Sequence, residues 1–320
     1  MNIQRWIARR ETDWRRLDSL LKRVESKGLK SLPAKEITEL ASLYRSVSAD
    51  LARAKTYQID AILTQDLQNL TSRSYVQIYQ GSRQQEWQQA KNFYANVFPT
   101  IVRETFPYTL LATLIFFIPA LIAWWYIWLD PTFVNLVVPQ EIITLVRDEN
   151  KLWMGSIIGT EPLASSNIMI NNLSVSFNAV AGGITAGILT VYILAFNGIH
   201  IGSIAAFVAQ NNLSWPFWAF VFPHGSLELP AIFWSGGAGL LIARGLLFPG
   251  RYRRFDAIKY YSSLAAKLVL GIIPMLVIAG IIEGFFSPSP LIPDILKYIL
   301  GLGIFILLLL YCQRGKHESS

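Results

Sequence analysis

Residues Ser214–Gly250 read SWPFWAFVFPHGSLELPAIFWSGGAGLLIARGLLFPG, apolar enough for a bilayer yet carrying Pro223, His224, Gly225, Glu228 and Pro230 at the middle. Pro223 removes a backbone donor, Gly225 loosens the chain, and Pro230 sits best in the first turn of a new helix. The expectation is therefore helix, non-helical PHGSLE bend, helix. Backbone of that kind is tolerated at membrane depth only where protein or a wet cavity covers it. The bend should face the interior of a helical bundle, with His224 and Glu228 beside it.

The whole chain shares this bias. Of 320 residues, 52% are apolar and 15% charged, and the mean hydropathy is +0.37, which excludes an ordinary soluble globule. The first long apolar run begins near Phe106, so no removable signal peptide is expected. Cys312 is the single cysteine, which excludes an intrachain disulfide and a thiolate zinc site. No P-loop or dinucleotide fingerprint occurs, and three histidines (His200, His224 and His317, the last in the tail) offer no Ser/His/Asp set. Neither a catalytic residue nor a cofactor is predicted. Residues 1–105 hold 17 Lys/Arg against 11 Asp/Glu with no nucleic-acid-binding motif, so a face close to anionic lipid explains the excess better than nucleic acid does.

Taken in order, residues 1–105 predict a cytoplasmic domain of four helices, with a break at Gly28–Pro33 and another near Gly81. The arginines of LYRSVSADLARAKTY (Leu43–Tyr57) read best as an ion-paired or solvated helix face. Residues 106–312 predict the transmembrane domain, opening with Phe106–Leu129, whose end is rich in tryptophan as an interfacial belt is. An acidic outside loop, 130–171, follows, with a short helix around 142–153 expected to lie on the membrane surface. A second span is expected over Leu173–Phe196, then a tight turn at Asn197–Gly198 and a broken or re-entrant third over 199–222. Further spans follow over Leu229–Phe248, Leu264–Phe285 and Leu291–Tyr311, with a cytoplasmic tail at 313–320. Arg251, Arg253, Arg254 and Lys259 assign the loop after the fourth span to the cytoplasm. The fold class is all-α: a polytopic helical membrane protein of about six segments in the prokaryotic plasma membrane, both termini cytoplasmic. Gly183 with Gly187, Gly236 with Gly239, and Gly280 with Gly284 are the small residues expected to let helices approach closely.

The chain resembles the stage II sporulation protein M family of bacterial and archaeal membrane proteins. The resemblance rests on Leu43–Tyr57, Asn178 with the glycines after it, Asn197–Gly198, Pro223-His224-Gly225 before Glu228-Leu229-Pro230-Ala231, Leu247–Gly250 and Ala279–Gly284. In endospore formers the family's namesake is understood as a membrane scaffold that recruits two cell-wall-cleaving enzymes. The resemblance implies fold and location; it carries no catalytic residues.

His224, Glu228 and Glu283 are the ionisable groups at membrane depth, where such groups are costly and are functional candidates. Pro223 and Gly225 belong to the same cluster. Three readings compete: a structural role at the bend, a proton or cation path, and a metal site of His224 with the two carboxylates and His200, which lacks an HExxH pattern. The function expected is that of a scaffold or adaptor positioning envelope or membrane proteins, as a homodimer packed through small-residue faces in the lipid bilayer. The alternative is a channel or transporter for protons, ions or a small solute, centred on the His/Glu cluster.

Overall fold

A computed structural model describes residues 3–314, apart from the side chains of residues 30 and 80–85; residues 315–320, with His317 and most of the expected tail, lie outside the described residues. Every regular element among them is helical. The chain forms two compact units, Met1–Asn92 and Phe93–Ser320.

The first unit is built from α1 (Ile3–Lys27), α2 (Ala34–Thr56) and α3 (Ala61–Asn92). On α1 the buried residues Trp14, Leu17, Leu20, Leu21 and Val24 recur at three- and four-residue steps, one face of a helix. Gly28 ends α1 at φ 77°, its N–H donating to the Val24 carbonyl at 2.8 Å. Against that face pack Leu40, Val47 and Ala54 of α2 and Leu67 and Leu70 of α3. The break expected near Gly81 is absent, so three helices stand where the sequence suggested four. One interior glycine costs only about 1 kcal/mol, too little to stop a long helix.

Ion pairs fix the outer faces of this unit. Arg73 of α3 donates from Nη1 to Asp18 Oδ1 at 2.7 Å, and from Nε and Nη2 to the two oxygens of Glu25 at 2.9 Å each. Hydrogen bonds from Lys22 and then Arg73 hold the Asp18 carboxyl below its usual range against the opposing effect of burial, and Arg73 does the same for Glu25. Groups whose folded pKa is lowered stabilise the fold above the unfolded value and lose that contribution as pH falls through the folded one. Hydrogen-exchange protection of α1 and α3, corrected for intrinsic rates, is therefore expected to fall between about pH 5 and pH 3. Arg73→Met should lower protection at neutral pH and flatten this dependence; an unchanged profile would remove the pairing from the account.

The second unit contains α4 (Phe98–Glu104), α5 (Phe106–Leu129), α6 (Val134–Val137), α7 (Gln140–Arg147), α8 (Glu161–Ala181), α9 (Ile188–Gln210), α10 (Ser214–Leu247), α11 (Arg254–Ile281) and α12 (Asp294–Gln313). Single π turns lie at Phe93–Val97 and Ile282–Phe286. Residues 93–104, counted in the sequence with the N-terminal domain, pack here: Phe98, Ile101 and Val102 join Trp234 and Leu268 in one apolar cluster. At the centre stands α10, which packs against α5, α8, α9, α11 and α12.

Several expectations need correction. The PHGSLE bend is absent, since α10 runs unbroken through Pro223 and Pro230. Two prolines remove two donors, whereas an open loop would strand many more where no water can reach them. Ser226 Oγ donates to the Pro223 carbonyl at 2.9 Å, which satisfies its own hydroxyl within the turn. The chain turns not at Asn197–Gly198, which lies inside α9, but at Gly182–Gly187, where Ala186 (φ 55°) and Gly187 (φ 86°) are left-handed. The expected second span is therefore the end of α8 and the start of α9, and the broken third is the end of α9 and the start of α10. The expected surface helix is α7, but Ile143 and Val146 are buried in a cluster with Phe207 and Phe217, so its apolar face lies on protein. Among the described residues, five helices are long and apolar enough to cross a membrane: α5, α9, α10, α11 with its π turn, and α12. In the second unit α8 is also long, but it carries Asn167, Asn171, Asn172 and Asn178 and does not qualify.

Candidate functional site

Two helices bring the site together. On α10, four-residue spacing puts His224 and Glu228 on one face. On α11, the π turn Ile282–Phe286 carries Glu283 inward beside them; such one-residue insertions recur at functional sites. One donor atom from each of His224, Glu228 and Glu283 lies within 4.8 Å of the other two. His224 Nε2 is 3.8 Å from Glu283 Oε2, and both side chains are shielded, at 6% and 16% exposure. The other ring nitrogen, Nδ1, is 3.2 Å from the buried Ser287 hydroxyl. Phe220, one turn earlier, meets the imidazole edge to face at 5.3 Å.

The three groups sit at the wall of a cavity of about 690 Å³. Phe116, Phe117 and Trp124 of α5, the second half of α9, and Phe217, Trp218 and Phe220 of α10 line it, with Trp153 and Met154 from the segment before α8. Among the described residues, no lysine or arginine lines it. Glu228 Oε2 is buried and has no hydrogen-bond partner among the described residues. An aromatic chamber with two carboxylates and an imidazole on one wall is suited to receiving a cation or a small solute with a polar end.

Of the residues singled out in the sequence, Gly225 also lines the cavity, whereas Pro223 is buried in α10 outside its lining. His200, on α9, belongs neither to the lining nor to the cluster. The paired glycines meet neighbours within the chain. A Cβ on Gly183 would lie 2.3 Å from the Gly239 carbonyl oxygen, one on Gly239 2.3 Å from that of Ala179, and one on Gly236 2.7 Å from Leu194. Gly187 faces Ala243, and Gly280 and Gly284 meet Met169 and Ser165 of α8, where Ser165 Oγ donates to the Gly280 carbonyl at 2.8 Å. Sequence reasoning missed Gly198 and Gly202, a third GxxxG pair, whose Cα atoms press on the Phe116 and Ala120 carbonyls of α5. The four-residue spacing was the available signal, obscured by reading Asn197–Gly198 as a turn. Ser287 was also missed; only its position one turn after Glu283 pointed to it.

A helical bundle with membrane-spanning elements around one polar-walled chamber defines a polytopic membrane protein. The chain belongs to the stage II sporulation protein M family, whose model matches residues 112–288. That match runs from α5 to just past the π turn and so includes the chamber and its three ionisable groups. A separate match, to a domain of unknown function (DUF8413), covers residues 4–80 in the first unit. Two uncharacterized proteins of Methanocaldococcus jannaschii are similar to the chain. One is 32% identical over 131 residues, 38% of this chain and 70% of the relative; the other is 30% identical over 101 residues, 31% and 45% respectively. No solved structure matches the chain significantly.

Proposed function

We propose that the protein is a channel or transporter for an ion or small solute, with the α5–α9–α10 chamber as its binding site. The observation that carries this reading is the convergence of His224, Glu228 and Glu283 on the chamber wall. Burying three ionisable groups is expensive, and a bundle needing only rigidity would use apolar side chains there. Away from the chamber, α10 meets its neighbours closely at glycines, as at Gly239 against Ala179 and Gly236 against Leu194. In this reading the acidic segment after α5 is outside and Arg251–Lys259 inside, which requires an odd number of crossings between them. α8, packed on one side against α10 and α11, would supply the third crossing with α9 and α10, which would place both termini in the cytoplasm.

The test is flux in proteoliposomes under imposed proton, sodium and potassium gradients. Wild type should conduct or exchange, and Glu228→Gln and His224→Ala should lose at least ten-fold with unchanged thermal stability. Equal flux in all three would remove the chamber from the mechanism.

A second reading, a scaffold for membrane or envelope proteins, draws on the first unit. Its own core and ion pairs leave Tyr75 and Tyr79 in ring contact at 4.6 Å and solvent-exposed on α3, with Ile62 and Trp87 also exposed. Deleting 1–92 would release bound partners in this case. Small-residue faces for a homodimer would have to lie outside the six glycines above, whose contacts are within one chain.

A further inference from the structure

Four features of the chamber wall ask for a cation rather than for three neutral side chains. First, two carboxylates and an imidazole present their donor atoms within 4.8 Å of one another, with no lysine or arginine among the described lining residues. Second, Glu228 Oε2 is buried and accepts no hydrogen bond among the described residues, a costly state for a carboxylate oxygen. Third, Ser287 Oγ sits 3.2 Å from His224 Nδ1. A proton on Nδ1 donated to that hydroxyl leaves Nε2 with its lone pair toward the carboxylates, which is how a metal-binding histidine is held by an outer partner. Fourth, the π turn that aims Glu283 inward is fixed from behind by Gly284 pressing on Ser165.

We propose that His224, Glu228 and Glu283 form a three-ligand site for a divalent first-row transition metal ion, with the remaining coordination position facing the aromatic chamber. The inference rests on the reading of the chamber as the functional site and names the ion class it takes. One imidazole nitrogen beside two carboxylate oxygens suits zinc, manganese or iron better than calcium or magnesium, which prefer oxygen alone. Zinc binds such atoms at about 2.0–2.2 Å, setting neighbouring ligand atoms about 3.4 Å apart. The 3.8 Å between His224 Nε2 and Glu283 Oε2 is already close to that, and the terminal torsions of the glutamates bring in the rest. Two carboxylates neutralise the ion's charge inside the bundle, and Gln substitutions preserve their shape while removing that neutralisation.

The experiment uses the full chain in detergent, stripped with a chelator and then titrated with zinc. Wild type should take up about one zinc per chain. Glu228→Gln, Glu283→Gln and His224→Gln should each lose it at least a hundred-fold in affinity, and Ser287→Ala about ten-fold or more. Cobalt(II) in the wild-type protein should give the intense visible absorption of a low-coordinate site with nitrogen and oxygen ligands, a readout that needs no variant to fold. Weak absorption like that of hydrated cobalt, or zinc uptake unchanged by Glu228→Gln, would overturn the proposal. Proteoliposome flux that depends on Glu228 in a wild type binding no metal would overturn it too, and leave the transport reading standing. One bound zinc without flux of any ion would support it while removing that reading.

Discussion

Gly202→Leu is expected to leave almost no correctly folded protein. At Gly202 and Gly198 a Cβ would lie 2.0 Å and 2.1 Å from the backbone carbonyl oxygens of Ala120 and Phe116. Backbone cannot rotate aside as a side chain can, so α5 would have to move off α9 along its length. That would uncover Ala112, Phe116, Ala120 and Ala123, all buried on α5, and open one wall of the chamber. Overpacking of a side chain costs 1–3 kcal/mol, and a backbone displacement of this kind about 3 kcal/mol or more. Gly303→Leu on α12 is the control, because nothing among the described residues lies within 4 Å of its Cβ position. Thermal unfolding in detergent should separate the two by many degrees. Similar midpoints for both would show that α5 and α9 do not meet through these glycines.

Arg10→Met is expected to destabilise the first unit by about 3 kcal/mol, the lower end for breaking a buried ion pair. Asp50 is 1% exposed and accepts from Arg10 Nε at 2.7 Å and Trp14 Nε1 at 3.0 Å. Arg10 also bonds Ser46 and Asp13, tying α1 to α2 and to its own next turn. Without Arg10 the carboxylate keeps the indole N–H and a distant Arg53, 4.0 Å away and largely in solvent. Replacing both partners by apolar groups removes the uncompensated charge, so Arg10→Met with Asp50→Leu should recover most of the loss. Loss of exchange protection in α1 and α2, restored in the double variant, checks this. A double variant worse than the single one would contradict it.

The sequence made the membrane class legible because its signal is additive: long apolar runs such as Phe106–Leu129 need no partner to be recognised. Breaks in the chain were harder to place, since glycine and proline mean different things by context. Gly187 takes a left-handed backbone and turns the chain, whereas Gly198 stays helical and admits a neighbour's carbonyl. Pro223 and Pro230 looked like a bend because the rule for helices in water gives them that meaning; inside a bundle the helix persists around them. The first half of α8 hid for the opposite reason, its serines and asparagines making residues 161–171 read as loop, while its second half was read as the start of a span.

Within the site, the His224–Glu228 spacing and the position of Glu283 in an apolar run are visible in one dimension. Their convergence is not, because it depends on α10 remaining helical and on the π turn of α11. Both follow from packing between helices: Gly284 against Ser165, and α10 enclosed by five neighbours. No local propensity encodes either.

The most direct test of the chamber as the working site uses cysteine access. In a Cys312→Ser background, Ala205→Cys places one thiol on the chamber wall. Flux is measured in proteoliposomes before and after complete reaction with a bulky, membrane-impermeant thiol reagent. Flux should fall to the level of Glu228→Gln once the Ala205→Cys protein is modified, while the Cys312→Ser parent should be unaffected. Full flux after complete modification would contradict it.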